Sequence, residues 1–132
     1  MPKEPFEKIF TDQKAVDPKE LTAILELFVR INSETLEIFF TDEGYKLTVP
    51  QRIILFLLAK KVLKIADKIE KEETAPKEIF DVTKIKKGSI DPAVKQLREK
   101  GWIIHLGTGY LVPNYQISKL RREFFKKEEN GT

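Results

Sequence analysis

The chain has 132 residues, 41% hydrophobic and 34% charged, with net charge +3, a size expected of one domain around one core. It holds no cysteine and one histidine, His105, so disulfides, thiolate nucleophiles, Cys-based zinc sites and most metal or hydrolytic chemistries lose their parts. Charge interrupts every apolar run, so neither a membrane span nor a signal-peptide core is expected, and the composition points to a cytoplasmic protein.

The first helix signal is Asp17, Pro18 and Glu20, an acidic cap, a proline for the first turn and a glutamate placed for a capping box. Leu21, Ile24, Leu25, Phe28 and Val29 follow at helical spacing, which predicts about three amphipathic turns. LEIFFT (36–41) and YKLT (45–48) flank Asp42, Glu43 and Gly44, a hairpin signal. Thr48, Val49, Pro50 and Gln51 form a second capping box. The run IILFLLAKKVLKIADKI behind it is apolar on more than one face in its first half, as expected of a central, buried helix. Glu70, Lys71, Glu72 and Glu73 offer nothing apolar and predict a solvated loop.

Thr74 and Pro76 restart a short helix through Ile79 and Phe80. KIKKG breaks it before IDPAVKQLREK, giving helix, tight turn, helix. In that last helix Ile90, Val94 and Leu97 share one side with Ala93 next to them. Ser89 or Asp91 supplies the cap, Pro92 fits the first turn, and Gly101 ends the helix in the left-handed conformation. WIIHL, the Gly107-Thr108-Gly109 turn and YLV predict a second hairpin closed by Pro113. Asn114 caps a final helix with Ile117, Leu120, Phe124 and Phe125 facing inward. The tail EENGT (128–132) is expected to be disordered. The division is a single domain over 1–132: an N-terminal helix and hairpin extension (1–48), a core unit (49–112), a C-terminal helix (113–127) and the tail.

Charge divides unevenly along this order. Residues 1–83 carry 13 basic and 16 acidic side chains, and residues 84–127 carry 11 and 3. The back half therefore either presents a positive field suited to phosphate or is a solvated, Lys-rich surface. Lys and Glu dominate while Asn, Gln and Met are few, a balance found in heat-adapted proteins.

A long helix, a short helix, a turn, a capped helix ending in REKGWI and a two-stranded hairpin resemble the winged helix-turn-helix family. The resemblance covers about half the chain, roughly residues 49–112, and rests most on Ile90, Val94, Leu97, Gly101 and Ile103. It implies an α+β fold in which the helix over 89–100 is the recognition helix, with one face packed and the other free for a groove of duplex DNA. Lys95 and Gln96 become the base-edge candidates, since Gln pairs with adenine and Lys reaches guanine acceptors. Ser89 shares the free face. Lys84, Lys86 and Lys87 would sit near phosphates, joined by Arg98. On the C-terminal helix, Lys119 and Arg122 would extend the basic footprint or contact an acidic protein surface. In archaeal and bacterial winged-helix regulators such flanking helices commonly make a dimer; here the C-terminal stripe either builds a homodimer or packs on its own domain.

Two features run against DNA. Asp91 and Glu99 put negative charge on or near the groove face, and the hairpin tip, His105–Tyr110, has no Lys or Arg. The alternative is a winged-helix adaptor that binds protein or structured RNA within a larger assembly. No Gly-rich phosphate loop, nucleophile elbow, helical His pair or close carboxylate pair suggests an enzyme, and no metal, cofactor or small-molecule partner is inferred.

Overall fold

The computed structural model describes residues 16–125. The chain is a mixed α+β protein in which helices surround two small antiparallel hairpins, and one buried cluster runs from Leu21 to Phe125. At its centre lies α3 (Val49–Ile65). The Thr48 hydroxyl accepts from the Gln51 backbone N–H at 3.3 Å and the Gln51 side chain accepts from the Thr48 N–H at 3.0 Å, the capping box expected there. Every residue from Ile53 to Ala59 is buried, as in a helix that is apolar all round and sits in the middle of a packed domain.

The N-terminal region differs from its sequence reading in three ways. Asp17 caps α1 (Pro18–Leu25), its carboxylate accepting from the Lys19 N–H at 2.9 Å, but Glu20 does not close a capping box. It accepts instead from the Ser118 hydroxyl at 2.6 Å and lies 3.9 Å from the Arg121 guanidinium, which fastens α1 to the C-terminal segment. The helix is also a turn shorter than expected, because Val29 enters β1 (Val29–Ile31), antiparallel to β2 (Ile38–Phe40) with Val29 opposite Phe40. Finally, Asp42–Gly44 is not the hairpin turn. It opens α2 (Asp42–Tyr45), where the Thr41 hydroxyl accepts from the Gly44 N–H at 3.2 Å and donates to the Leu27 carbonyl at 2.7 Å. Glycine is required at 44 because a Cβ there would meet the Phe28 carbonyl oxygen. The turn that joins β1 and β2 is built on Asn32, whose side-chain oxygen accepts from the N–H groups of Glu34 and Thr35 at 2.8 and 2.9 Å.

α4 (Pro76–Thr83) and α5 (Lys87–Glu99) both pack on α3, and only Lys84–Lys86 separates them. Lys84 ends α4 in the left-handed region at φ 62°, and Ile85 is buried as the plug of the turn. Thr83 stiffens the corner: its hydroxyl donates to the Ile79 carbonyl at 2.6 Å and accepts from the Ile85 N–H at 3.2 Å. α5 starts before Ser89 and Asp91, and neither caps it; Lys86 occupies the N-cap without a side-chain bond, so Pro92 lies inside the helix beyond the first turn. The buried Ile85 fixes that start where a side-chain cap does not. Gly101 follows α5 at φ 82° as expected, its carbonyl accepting from the Gln116 side chain at 2.7 Å.

β3 (Ile104–Leu106) and β4 (Gly109–Leu111) form the second hairpin. Thr74, expected to restart the next helix just after the solvated loop, is instead tied to this hairpin. Thr74, fully buried, donates its N–H to the Tyr110 carbonyl at 2.8 Å and accepts from the Tyr110 N–H at 2.9 Å, adding a third strand position beyond β4. Just before it, the Glu72 carboxylate lies 2.6 Å from the ammonium of Lys61, which is only 2% exposed and also donates to Asn114 Oδ1 at 2.6 Å. A buried cation has to be matched locally, and here its partners come from two distant segments. Asn114 is thereby diverted from capping.

The C-terminal segment runs through a 3-10 turn (Asn114–Gln116), α6 (Ile117–Lys119) and a π-helical stretch (Leu120–Phe124). Ile117, Leu120 and Phe125 are buried in their own chain, with the Phe125 ring 6.3 Å from Phe28 and the Phe124 ring 5.4 Å from Trp102. The apolar stripe considered as a homodimer face is thus consumed internally, and the segment's outer side offers Ser118, Arg121 and Arg122. Residues 1–15 of the N-terminal extension, Lys126, Lys127 and the tail at 128–132 lie outside the described residues.

Candidate nucleic-acid interface

Burial of Ile90, Ala93, Val94 and Leu97 fixes the orientation of α5 about its axis. With successive side chains about 100° apart, the row opposite that buried line is Gly88, Pro92, Lys95 and Glu99. Ser89, Gln96 and Lys100 flank it on one side, and Lys87, Asp91 and Arg98 on the other. All ten of these residues are exposed.

Of the expected contact residues, Lys84, Lys86, Lys87, Ser89, Lys95 and Arg98 fall on the continuous surface made by the end of α4, the turn and α5. Lys95 stands on its crest. Gln96 does not share that crest: it lines a cleft of about 200 Å³ between α5, the start of α3, Trp102 and Phe124. The C-terminal segment joins the surface at the far end of α5, where the Lys119 ammonium lies 5.4 Å from the centre of the Trp102 ring. Arg122 is exposed on the same segment.

Several lysines elsewhere in the molecule sit in ion pairs. Lys60 pairs with Glu78 at 2.6 Å, Lys61 with Glu72 at 2.6 Å, Lys77 with Asp81 at 3.0 Å and Lys46 with Glu43 at 3.1 Å. Among the described residues, Lys84, Lys86, Lys87, Lys95, Arg98 and Lys100 form no ion pair, and neither do Asp91 and Glu99. Six cations against two carboxylates leave a net positive surface with no ion pair formed within it. The hairpin adds no cation. His105 is exposed on β3, its ring centre 4.9 Å from that of Tyr110.

Gly88 and Pro92 escape a reading based on side-chain chemistry. A Cβ at Gly88 would meet nothing within 4 Å, so packing does not demand glycine there. Pro92 has no N–H, so the Gly88 carbonyl lacks its usual donor four residues on and remains an acceptor beneath a low, smooth stretch of the crest. The sequence signal for this was the Gly-x-x-x-Pro spacing, which becomes informative once the helix is known to begin at Lys87.

Among the described residues, no group of three or more His, Asp or Glu is placed to hold a metal ion, and no helix is long and apolar enough to cross a membrane. Comparison with known proteins gave no matching family model, no matching curated protein and no matching solved structure.

Proposed function

We propose that the chain is a winged-helix DNA-binding protein, acting as a transcriptional regulator, that lays α5 in the major groove of duplex DNA. The observation that carries the reading is the clustering of unpaired cations on the turn and α5, whereas Lys60, Lys61 and Lys77 of the neighbouring helices α3 and α4 each find a carboxylate partner. In this reading Lys84, Lys86 and Lys87 hold phosphates at the entry to α5. Lys95 on the crest reads base edges, and Gln96 reaches them only from the flank. Arg98 and Lys119 extend the contact toward the far end of the helix, with Arg122 beside them.

The test is binding to a pool of random duplexes at two salt concentrations, with selection for enriched sequences. The expected outcome is an enriched motif, affinity that falls as salt rises, and loss of the motif in Lys95→Ala/Gln96→Ala. Failure to bind duplex DNA at physiological salt refutes the reading. A second reading, an adaptor for protein or structured RNA, is favoured by one observation: Ile104 and Leu106 expose 38% and 50% of their surface on a hairpin without charge.

A further inference from the structure

We infer that the free edge of β3 pairs antiparallel with the same edge of a second copy of this chain, joining the two hairpins into one sheet across a two-fold axis at His105. The backbone assigns the free groups. Tyr110 commits both its N–H and its carbonyl to Thr74, on the side of β4 away from β3. His105 sits opposite Tyr110 in the register, at a position where the two strands do not bond each other, so its own N–H and carbonyl point outward from β3.

Two of the other strand edges, those of β1 and β4, are managed differently. The Arg30 guanidinium of β1 donates to the carbonyls of Glu26 and of Val29, the latter at 2.9 Å, and so blunts that strand with charge. The open side of β4 is filled by Thr74. Among the described residues β3 has neither device, and from Trp102 to Pro113 the chain has no Asp, Glu, Lys or Arg. An unprotected, uncharged strand edge is a template for another strand.

A second copy fits this template for two reasons. First, pairing about a two-fold axis at His105 places His105 against His105 of the other copy, which exchange their N–H and carbonyl groups. Ile104 then lies against Leu106 of the other copy, and Leu106 against its Ile104. These are the two exposed apolar side chains of the strand, on one face, matched by symmetry alone. Second, the copies meet without opposing like charges, which no pairing through the lysine-rich α5 surface would achieve. Two three-residue edges bury well under the roughly 1,000 Å² of a stable interface, so the pair forms at high concentration and separates on dilution.

The experiment needs no nucleic acid, so its outcome is independent of the DNA-binding reading. Sedimentation equilibrium on the full chain from about 10 µM to about 1 mM is expected to show the mass rising toward that of a dimer. Amide exchange at His105 should slow in step with it. Leu106→Lys, at an exposed position, should keep the wild-type thermal midpoint, remain monomeric over the same range and show fast His105 exchange throughout. A mass that stays monomeric at about 1 mM overturns the inference. So does a dimer that leaves His105 exchange unchanged, or one that Leu106→Lys forms equally well.

Discussion

Gly109→Ala tests how closely the segment before α4 is bound to the hairpin. A Cβ at position 109 would lie 2.7 Å from the Thr74 nitrogen, 2.8 Å from the Thr74 carbonyl carbon and 3.0 Å from the Glu73 carbonyl carbon. All three are backbone atoms, so no flexible side chain can give way, and the segment must retreat by several tenths of an ångström before contact becomes ordinary. That retreat stretches the 2.8 and 2.9 Å bonds between Thr74 and Tyr110. Two hydrogen bonds at about 1 kcal/mol each, plus part of the penalty for a buried unpaired N–H, amount to about 2–4 kcal/mol. The cost is steric, because the φ of Gly109 is not positive. Gly107→Ala separates the two causes: its Cβ would meet nothing within 4 Å, but its φ of 61° costs about 1–2 kcal/mol with a side chain. Urea unfolding followed by Trp102 fluorescence and far-ultraviolet circular dichroism gives both values, and amide exchange at Thr74 and Tyr110 should speed up in Gly109→Ala alone. A loss below about 0.5 kcal/mol for Gly109→Ala, with both amides still protected, would refute the packing argument.

Three further outcomes are expected. Lys61→Met leaves Glu72 and Asn114 without their shared donor and should cost about 3–5 kcal/mol in urea unfolding, while Lys61→Met/Glu72→Leu recovers part of that loss. Gly88→Ala should stabilise the fold by up to about 1 kcal/mol, read from the same titration, since neither space nor a positive φ calls for glycine there. Replacing Lys84, Lys86 and Lys87 together by Ala should reduce the slope of log affinity against log salt by about 2.7 for duplex DNA, at about 0.9 per phosphate contact, and leave the preferred motif unchanged.

Features fixed by neighbours in the sequence were legible in it. Thr48 and Gln51 lie within one turn of each other and announced the start of α3; Gly107 and Gly109 announced the second hairpin; Gly101 announced the end of α5. Features fixed by distant partners were not. Val29 satisfies both the helical period of Leu21 and Leu25 and the alternation of β1, and pairing with Phe40 decides between them. Asp42–Gly44 has a turn composition, but the Thr41 hydroxyl and the close Phe28 carbonyl make it a helix. Glu72 stands in a charged run without apolar residues and Thr74 directly after it, and nothing local shows that Lys61 and Tyr110 wait for them. In the candidate site, exposure of the α5 cations followed from the period of Ile90, Val94 and Leu97. That Gln96 leans into a cleft depended on where Trp102 and Phe124 pack.

The paired bonds between Thr74 and Tyr110 act as a clasp. They close the stretch of chain holding α4, the turn and α5 into a ring, and Lys61 pins that ring to α3 through Glu72 on one side of the clasp and Asn114 on the other. A ring held this way has little freedom to tilt one helix alone. A load on the β3 edge would pass through β4 into the root of α4, and a load on α5 would pass back to the hairpin.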